Sequence, residues 1–250
     1  MPAVLITGAS SGIGVGLAAE YARADTTLIL LGRNQERLEQ IASVCRTEGA
    51  RVEVAAIDVR DKAAMAEFIL RMDDVTPIDL VIANAGISTG SFSGEETLAA
   101  AEAVFEINVT GVINTIHPIV PRMTARGHGQ IAIMSSLAGI CALPGAPAYS
   151  ASKAAVRVYG DALRGKLKAS GVHVSVICPG WISTPLTAKN DFPMPFIMPV
   201  SDAATRIKRG LSKKKSRIAF PFALYFPLRV FGILPVSWCD ALFVRLPAKR

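Results

Sequence analysis

Several residue types that point to particular chemistry are scarce in this sequence. It has four cysteines and three histidines among 250 residues. The cysteines are far apart, with no Cys-x-x-Cys, and the histidines show no metal-ligand spacing. These scarcities exclude a small disulfide-stapled domain and give no support for a zinc site. We expect reduced thiols and no bound metal.

Two further absences concern location and charge. No charged leader precedes the apolar run that begins at Ala3, so we expect no signal peptide and a cytoplasmic protein. Residues 206–250 contain 11 Lys and Arg and only one acidic residue, whereas residues 1–205 contain 16 basic and 19 acidic ones. The net charge of +7 therefore combines a body of −3 with a terminal block of +10. A local block of this kind argues against a nucleic-acid-binding protein.

What the sequence does have is a repeated alternation of apolar strands and helical segments. A chain of 250 residues with 51% hydrophobic content suits one large domain. Apolar runs predict strands at residues 3–7, 27–31, 52–57, 78–83, 130–135 and 173–178, with helices at 34–48, 96–126 and 148–167. This order predicts a single α/β domain: a Rossmann-type, doubly wound parallel sheet with helices on both faces.

A glycine-rich turn follows the first strand at once. In Thr7-Gly8-Ala9-Ser10-Ser11-Gly12-Ile13-Gly14, the glycines let the backbone turn tightly and approach a pyrophosphate. The helix that opens there presents free N–H groups and the positive end of its dipole. Glycine trios also occur in turns without ligands. The succession of strand, glycines and helix predicts a dinucleotide site.

The end of the second strand bears on the choice of cofactor. An acidic residue there would bind the ribose 2′-hydroxyl of NAD, but the sequence has Gly32-Arg33-Asn34. The Arg33 guanidinium suits a 2′-phosphate, which predicts a preference for NADP (NADPH) with NAD possible. The alternative is that Arg33 only caps a surface turn.

Tyr149 and Lys153 are four residues apart on the helix predicted for residues 148–167, so their side chains project from one face. The phenol of a free tyrosine has a pKa near ~10 and is a poor acid or base at pH 7. We expect the Lys153 ammonium to lower the pKa of Tyr149 and prepare it for proton transfer.

Together with the glycine turn, Asn84-Ala85-Gly86, Asn108, Ser136 and Pro179-Gly180, this pair resembles the short-chain dehydrogenase/reductase family. The resemblance extends from about Ala3 to Thr184 and fades beyond it. It implies the following cofactor-binding residues: Gly8, Ser10, Ser11, Gly12, Ile13, Gly14, Arg33, Asp58, Val59, Asn84, Ala85, Gly86, Tyr149, Lys153, Pro179, Gly180, Ile182 and Thr184.

The resemblance also implies a catalytic set of Asn108, Ser136, Tyr149 and Lys153. Ser136 would hold the substrate oxygen, Tyr149 would transfer the proton, and Lys153 would bind ribose hydroxyls. Asn108 would hold a water on the proton path. Ser135 is an adjacent alternative, but strand alternation turns the two hydroxyls to different sides, and the spacing to Tyr149 favours Ser136.

Asp58 and Val59 match the position that contacts adenine in the family, although Asp58 also suits a helix N-cap. The activity implied is NADP(H)-dependent hydride transfer to a carbonyl or from a secondary alcohol. Alternatives are a non-catalytic dinucleotide sensor and a membrane-associated scaffold on the same fold. The resemblance further implies at least a homodimer, through the helices that contain Asn108 and Tyr149.

The region after the family motifs gives the only indication of substrate. Residues 190–200 occupy the place of a substrate loop and predict an apolar lid, with an inert connector as the alternative. We expect bulky apolar substrates, such as lipid, steroid or aromatic ketones. The side chains expected to line the entrance are Phe192, Met194, Phe196, Ile197 and Met198. The predicted division is a catalytic domain, 1–217, with a lid at 185–210, and a tail at 218–250.

The tail follows Lys213-Lys214-Lys215 and is rich in phenylalanine. Pro221, Pro227 and Pro235 interrupt it, so it does not suit a membrane span. Two alternatives remain open. The tail folds back over the substrate cleft or a dimer partner, or it lies peripherally at a membrane interface with its cations on anionic headgroups.

Overall fold

A computed structural model of the chain describes residues 2–88, 96–142, 145–188, 190 and 193–232. Its strands form one parallel sheet in the order β3-β2-β1-β4-β5-β6-β7. The strand order reverses direction between β1 and β4, which is the topological switch point of a doubly wound sheet. The strands are β1 (Ala3–Thr7), β2 (Thr27–Gly32), β3 (Arg51–Ala56), β4 (Ile78–Ala83), β5 (Gly129–Met134), β6 (Val172–Pro179) and β7 (Arg217–Phe220).

Burial along the strands follows their place in the sheet. Every residue of β1 and β2 is buried, as the continuous apolar runs of central strands require. At the edge, β3 alternates, with Arg51 and Glu53 exposed and Val52 buried. Each of the six predicted strands is present within one or two residues of its predicted ends.

Helices cover both faces of the sheet. One hydrophobic cluster joins α1, α2 and α8 to one face, and a second joins α3, α5, α6 and α7 to the other. The predicted doubly wound α/β fold is thereby confirmed. The helices are α1 (Gly12–Tyr21), α2 (Gln35–Thr47), α3 (Lys62–Val75), α4 (Leu98–Phe105), α5 (Gly111–Ile116), α6 (Val120–Arg126), α7 (Pro147–Leu167), α8 (Val200–Ser212) and α9 (Phe222–Phe231).

The long helix predicted for residues 96–126 is interrupted. A π-helical turn, Glu106–Thr110, separates α4 from α5, and α6 follows after Pro118. Among the described residues, Leu98–Arg126 alone has the length and apolar composition of a membrane span. Half of its most apolar window is buried inside the protein, as in a core helix of a globular domain.

The C-terminal third differs from the predicted division. The segment predicted as lid, 185–210, contains most of α8, whose residues Ala203, Ala204 and Ile207 are fully buried in the core. Only the part before α8 is therefore loop. The predicted boundary between residues 217 and 218 falls inside β7, which pairs in parallel with β6.

Candidate active site

The predicted site residues collect where the strands end. The carboxyl ends of β1, β4, β5 and β6 open onto a cavity of about 450 Å³, called here the active-site cavity. Parallel strands place their carboxyl ends at one edge, so motifs that are far apart in sequence meet there. The predicted residues that line the cavity are Gly8, Ser11, Gly12, Ile13, Asn84, Ala85, Gly86, Ser136, Tyr149, Lys153, Pro179, Gly180, Ile182 and Thr184.

The glycine turn between β1 and α1 has a backbone that larger residues would not fit. Gly8 and Gly12 have positive φ angles of 67° and 54°. A Cβ at Gly14 would lie 2.1 Å from the Gly8 carbonyl oxygen. Ser11, the N-cap of α1, makes no side-chain capping hydrogen bond, so the first N–H groups of α1 remain open to an anion. This cradle fits a pyrophosphate group. Ser10 packs instead against Gly32.

The Asn84 turn is fastened directly to the end of β1. The Asn84 Nδ2 donates to the Thr7 carbonyl at 2.9 Å. The Thr7 hydroxyl accepts from the backbone N–H groups of Asn84 and Ala85, each at 3.1 Å. The side chain of Asn84 is thus used to join two strand ends, and the wall of the active-site cavity here is backbone and small side chains.

The two adjacent serines after β5 point in different directions, as strand alternation predicts. The Ser135 hydroxyl donates to the Lys153 carbonyl at 2.8 Å and so contacts the backbone of α7. The Ser136 hydroxyl accepts from the Ala138 N–H at 3.1 Å and is hydrogen-bonded to the Tyr149 side chain. The structure therefore brings Ser136, rather than Ser135, to Tyr149.

The electrostatics of the Tyr149 and Lys153 pair differ from the prediction. Burial raises the pKa of Tyr149, and the hydrogen bond with Ser136 offsets only part of that rise. Lys153 is 4% exposed, and burial lowers its own pKa to about 8. Its Nζ donates to the Met134 carbonyl at 3.0 Å and lies 5.7 Å from the Tyr149 ring centroid. The predicted lowering of the Tyr149 pKa is wrong for the protein by itself, because desolvation of the phenol is the largest influence on that pKa.

Asn108 is fully buried in the π-helical turn, a distortion that is frequent at functional sites. Its Oδ1 accepts from the Ile87 N–H at 2.8 Å, and its Nδ2 donates to the Ile87 carbonyl at 2.9 Å and to the Ser152 hydroxyl at 3.0 Å. A Cβ at Gly86 would lie 3.1 Å from both Asn108 Oδ1 and Lys153 Nζ. Because Gly86 has no side chain, the Asn108 and Lys153 side chains both face the space next to its Cα atom.

The residues predicted for the adenosine end lie outside the active-site cavity. Arg33 is exposed at the end of β2, and Asp58 forms an ion pair with Arg60 at 2.9 Å. Arg60, and more weakly Arg33, lower the pKa of Asp58. Val59 is buried, and its carbonyl accepts from Asn114 at 2.9 Å. Asp58 borders a separate open depression with Arg60 and Glu106.

The loop after β6 reaches the cavity through different side chains from those predicted. Met198 is 9% exposed in the core and forms a bridge with Ile182. Phe196 and Ile197 are 61% and 46% exposed and do not line the cavity, and Phe192 is outside the described residues. Met194 does not line it either. The described loop residues that line it include Pro185, Leu186, Asn190, Pro193 and Pro195.

Sequence reasoning missed several contributors. Thr7, at the start of the glycine turn, supports Asn84, and Ser152, which immediately precedes Lys153, supports Asn108. The Glu96 carboxylate accepts from the Ala148 N–H at 3.0 Å, at the start of the helix that carries Tyr149. No local pattern links Glu96 to a helix 52 positions away. Leu224 and Leu228 of α9 also line the cavity. Their i, i+4 spacing in the sequence indicates that they share one face of a helix.

Comparisons with known proteins agree with this geometry. The sequence model described as short chain dehydrogenase matches residues 2–193. An uncharacterized oxidoreductase of Myxococcus xanthus is 36% identical over 243 residues, covering 97% of this chain and 96% of the relative. A ketoacyl reductase, HetN, of a Nostoc species is 30% identical, covering 86% of this chain and 77% of the relative. A short-chain dehydrogenase from Sphingobium yanoikuyae, solved in complex with NADPH, superposes with a TM-score of 0.82 at 26% identity, covering 100% of this chain and 98% of the other.

Proposed function

Because this chain belongs to the short-chain dehydrogenase family and is an NAD(P)-dependent dehydrogenase/reductase, we propose that it reduces the carbonyl of a bulky apolar substrate with NADPH. The observation that carries the proposal is the meeting of Ser136, Tyr149 and Lys153 at one cavity beside the glycine turn. The nicotinamide, when bound, supplies the hydride. In the reverse reaction, oxidation of the alcohol, the same groups would move the proton in the opposite direction.

The proton chemistry rests on residues of this chain. The Ser136 and Tyr149 hydroxyls, already hydrogen-bonded to each other, would both bind the substrate oxygen. Tyr149, kept protonated by burial, is suited to donate its proton as negative charge develops on that oxygen. Lys153, whose pKa of about 8 lies near working pH, would hold ribose hydroxyls and replace the proton. Asn108 would position a water on the path from Lys153 to solvent.

The cofactor preference rests on charge at the adenosine end. Arg33 follows β2 at the position where an acidic residue would favour NAD. Arg60 neutralises the nearby Asp58, so that carboxylate does not repel a 2′-phosphate strongly. We therefore favour NADPH, with NAD possible. The NADPH in the Sphingobium structure is consistent with this preference.

The substrate class rests on the lining of the active-site cavity. Away from the hydroxyls, its walls are apolar and include Leu137, Leu186, Leu224 and Leu228. Apolar walls with a few convergent polar groups are typical of sites for apolar small molecules. The ketoacyl reductase among the relatives is consistent with a ketone on an acyl chain.

Assembly and membrane contact are further parts of the proposal. On α4, Leu98 and Phe105 are 76% and 43% exposed, and on α7, Val158 is 55% exposed. These apolar side chains support a homodimer through the helices that contain the site. The outer face of α9 exposes Phe222 and Phe226, which supports peripheral contact with a membrane.

The test of the proposed chemistry is Tyr149→Phe, which removes only the hydroxyl. With NADPH and a panel of aromatic and long-chain ketones, we expect turnover to fall by roughly 10²–10⁴-fold. The NADPH dissociation constant, followed by nicotinamide fluorescence, should change little. Wild-type turnover retained by Tyr149→Phe would overturn the assignment of the proton donor.

A further inference from the structure

The helix α9 separates two environments at the mouth of the active-site cavity. On its inner side, Leu224, Tyr225 and Leu228 pack against a buried cluster of Leu137, Val176 and Cys178, next to Ser136. On its outer side, Phe222 and Phe226 stack with ring centroids 5.7 Å apart and are 70% and 57% exposed. The two faces are therefore distinct in both contacts and exposure.

Contacts before and after α9 place this helix beside the site. Its approach is fixed by the pairing of β7 with β6 and by a hydrogen bond of 2.8 Å from the Gly180 N–H to the Phe220 carbonyl. A Cβ at Gly180 would lie 3.5 Å from Leu224, and one at Gly232 would lie 3.4 Å from the Ile140 carbonyl. Leu224 is therefore near the loop after β6, and the chain after Leu228 passes Ile140.

We propose that α9 is the substrate-selecting wall of the enzyme, and that Leu224 and Leu228 contact the apolar part of the ketone beyond its reacting carbon. Both residues lie after residue 193, the last position that the family model matches. Leu186, Pro193 and Pro195, from the loop after β6, add further apolar lining to the same cavity. The cavity therefore combines the Ser136 and Tyr149 hydroxyls with an apolar lining, so it fits a ketone that carries an extended apolar chain.

The inference rests on the proposed ketone reduction and adds a graded prediction to it. Leu224 and Leu228 are one helical turn apart, about 5–6 Å. Leu224 lies beside Gly180, which follows Pro179 at the end of β6, and Leu228 lies farther along the helix. A bulkier side chain at Leu228 should narrow the apolar part of the cavity, and so should affect long ketones more than short ones.

The experiment compares the wild type, Leu228→Phe, Leu228→Ala and the matched control Phe226→Ala on the outer face of the same helix. Each is assayed with NADPH and a series of methyl ketones from butanone to dodecanone. In Leu228→Phe, kcat/KM for the longest ketones should fall by about 10-fold or more, the scale at which a pocket discriminates a few carbons. For butanone, kcat/KM should fall by a clearly smaller factor than for the longest ketones. Leu228→Ala should favour longer ketones, and Phe226→Ala should match the wild type.

Calorimetry in the presence of NADP⁺ then gives the dissociation constant of each ketone for each variant. This measures contact with the α9 wall without requiring turnover. Length-dependent loss of binding in Leu228→Phe supports the inference even if no ketone is reduced, in which case only the proposed function fails. Equal losses for butanone and dodecanone, or the same profile in Phe226→Ala, would overturn it. Unchanged NADPH affinity and thermal unfolding of the variants exclude a folding defect.

Discussion

Lys153→Met should make the protein more stable at pH 7 while it abolishes turnover. Burial lowers the pKa of Lys153 from 10.5 to about 8. At ~1.4 kcal/mol per pKa unit, that difference is about 3 kcal/mol of cost for carrying the ammonium in the folded state. The side chain is 4% exposed, so solvent screening reduces this cost little.

The substitution also removes a hydrogen bond, which opposes the gain in stability. The Lys153 ammonium donates to the Met134 carbonyl at 3.0 Å, and leaving that buried carbonyl unpaired costs about 1–2 kcal/mol. Methionine keeps the length and the apolar stem of lysine, so packing should change little. The net expectation at pH 7 is a stabilisation of about 1–2 kcal/mol, or a rise in Tm of a few degrees.

The pH dependence of the unfolding free energy distinguishes the cost of burying the Lys153 ammonium from other effects of the substitution. Since the pKa of Lys153 is lowered by folding, the cost is complete below about pH 8 and disappears as pH rises from 8 towards 10.5. In that window the unfolded wild type holds the proton and the native protein does not, so wild-type stability rises with pH.

The assay is urea unfolding of the two proteins without nucleotide, at pH 7 and about pH 9.5 and at one protein concentration. The advantage of Lys153→Met should shrink by about 2 kcal/mol between the two conditions. Every other titrating group is common to both proteins and cancels in the difference. A difference that is the same at both pH values, or a variant less stable at pH 7, would refute the reasoning.

Three other predictions concern charge and exposed surfaces. Arg33→Ala should weaken NADPH binding at least several-fold more than NADH binding, because only NADPH carries the 2′-phosphate. Equal losses of affinity for the two cofactors in fluorescence titrations would contradict this. Light scattering at micromolar concentration should give a dimer, and Phe105→Asp combined with Val158→Asp should give a monomer; a wild-type monomer would exclude the dimer. The wild type should cosediment with vesicles that carry anionic headgroups, and the double variant with Phe222→Ser and Phe226→Ser should stay in the supernatant. Equal sedimentation of the two proteins would exclude a role for α9 in membrane contact.

Substitutions on α9 test membrane contact more cleanly than a chain that ends at Ser216 would. Removing residues 217–250 would delete β7, which pairs with β6 from Arg217 to Phe220. It would also remove the ion pair between Arg217 and Asp161 of α7. Since Arg217 is already paired, it is not a free cation for lipid headgroups. The first part of the predicted tail thus belongs to the fold, while residues 233–250 lie outside the described residues.

The sequence predicts the central part of this fold well, because the signals there are local. A buried parallel strand such as β1 is a continuous apolar run, and the glycines that follow it have few structural alternatives. Helical spacing puts Tyr149 and Lys153 on one face, and the accompanying family motifs identify the pair as a candidate site. These features need no knowledge of what lies across the sheet.

The rest depends on contacts between distant segments. Strand β7 has only four residues, too few for a clear period, and its place at the sheet edge comes from pairing with β6. Met198 is apolar like its neighbours in the loop, and the bridge with Ile182 decides that it is buried while Phe196 is exposed. The raised pKa of Tyr149 has the same origin, since burial is a property of the assembled site.

The π-helical turn at Glu106–Thr110 sets the rotational phase of the helices on either side of it. Consecutive residues of an α-helix are about 100° apart around the axis, so a widened turn offsets the two segments relative to a continuous helix. Phe105 is exposed immediately before the turn, while Asn108 is fully buried within it. Deleting one residue from the turn would restore a regular helix and rotate α4 by about 100° relative to α5. The outward face that presents Phe105 and the inward direction of Asn108 are therefore set by a single added residue.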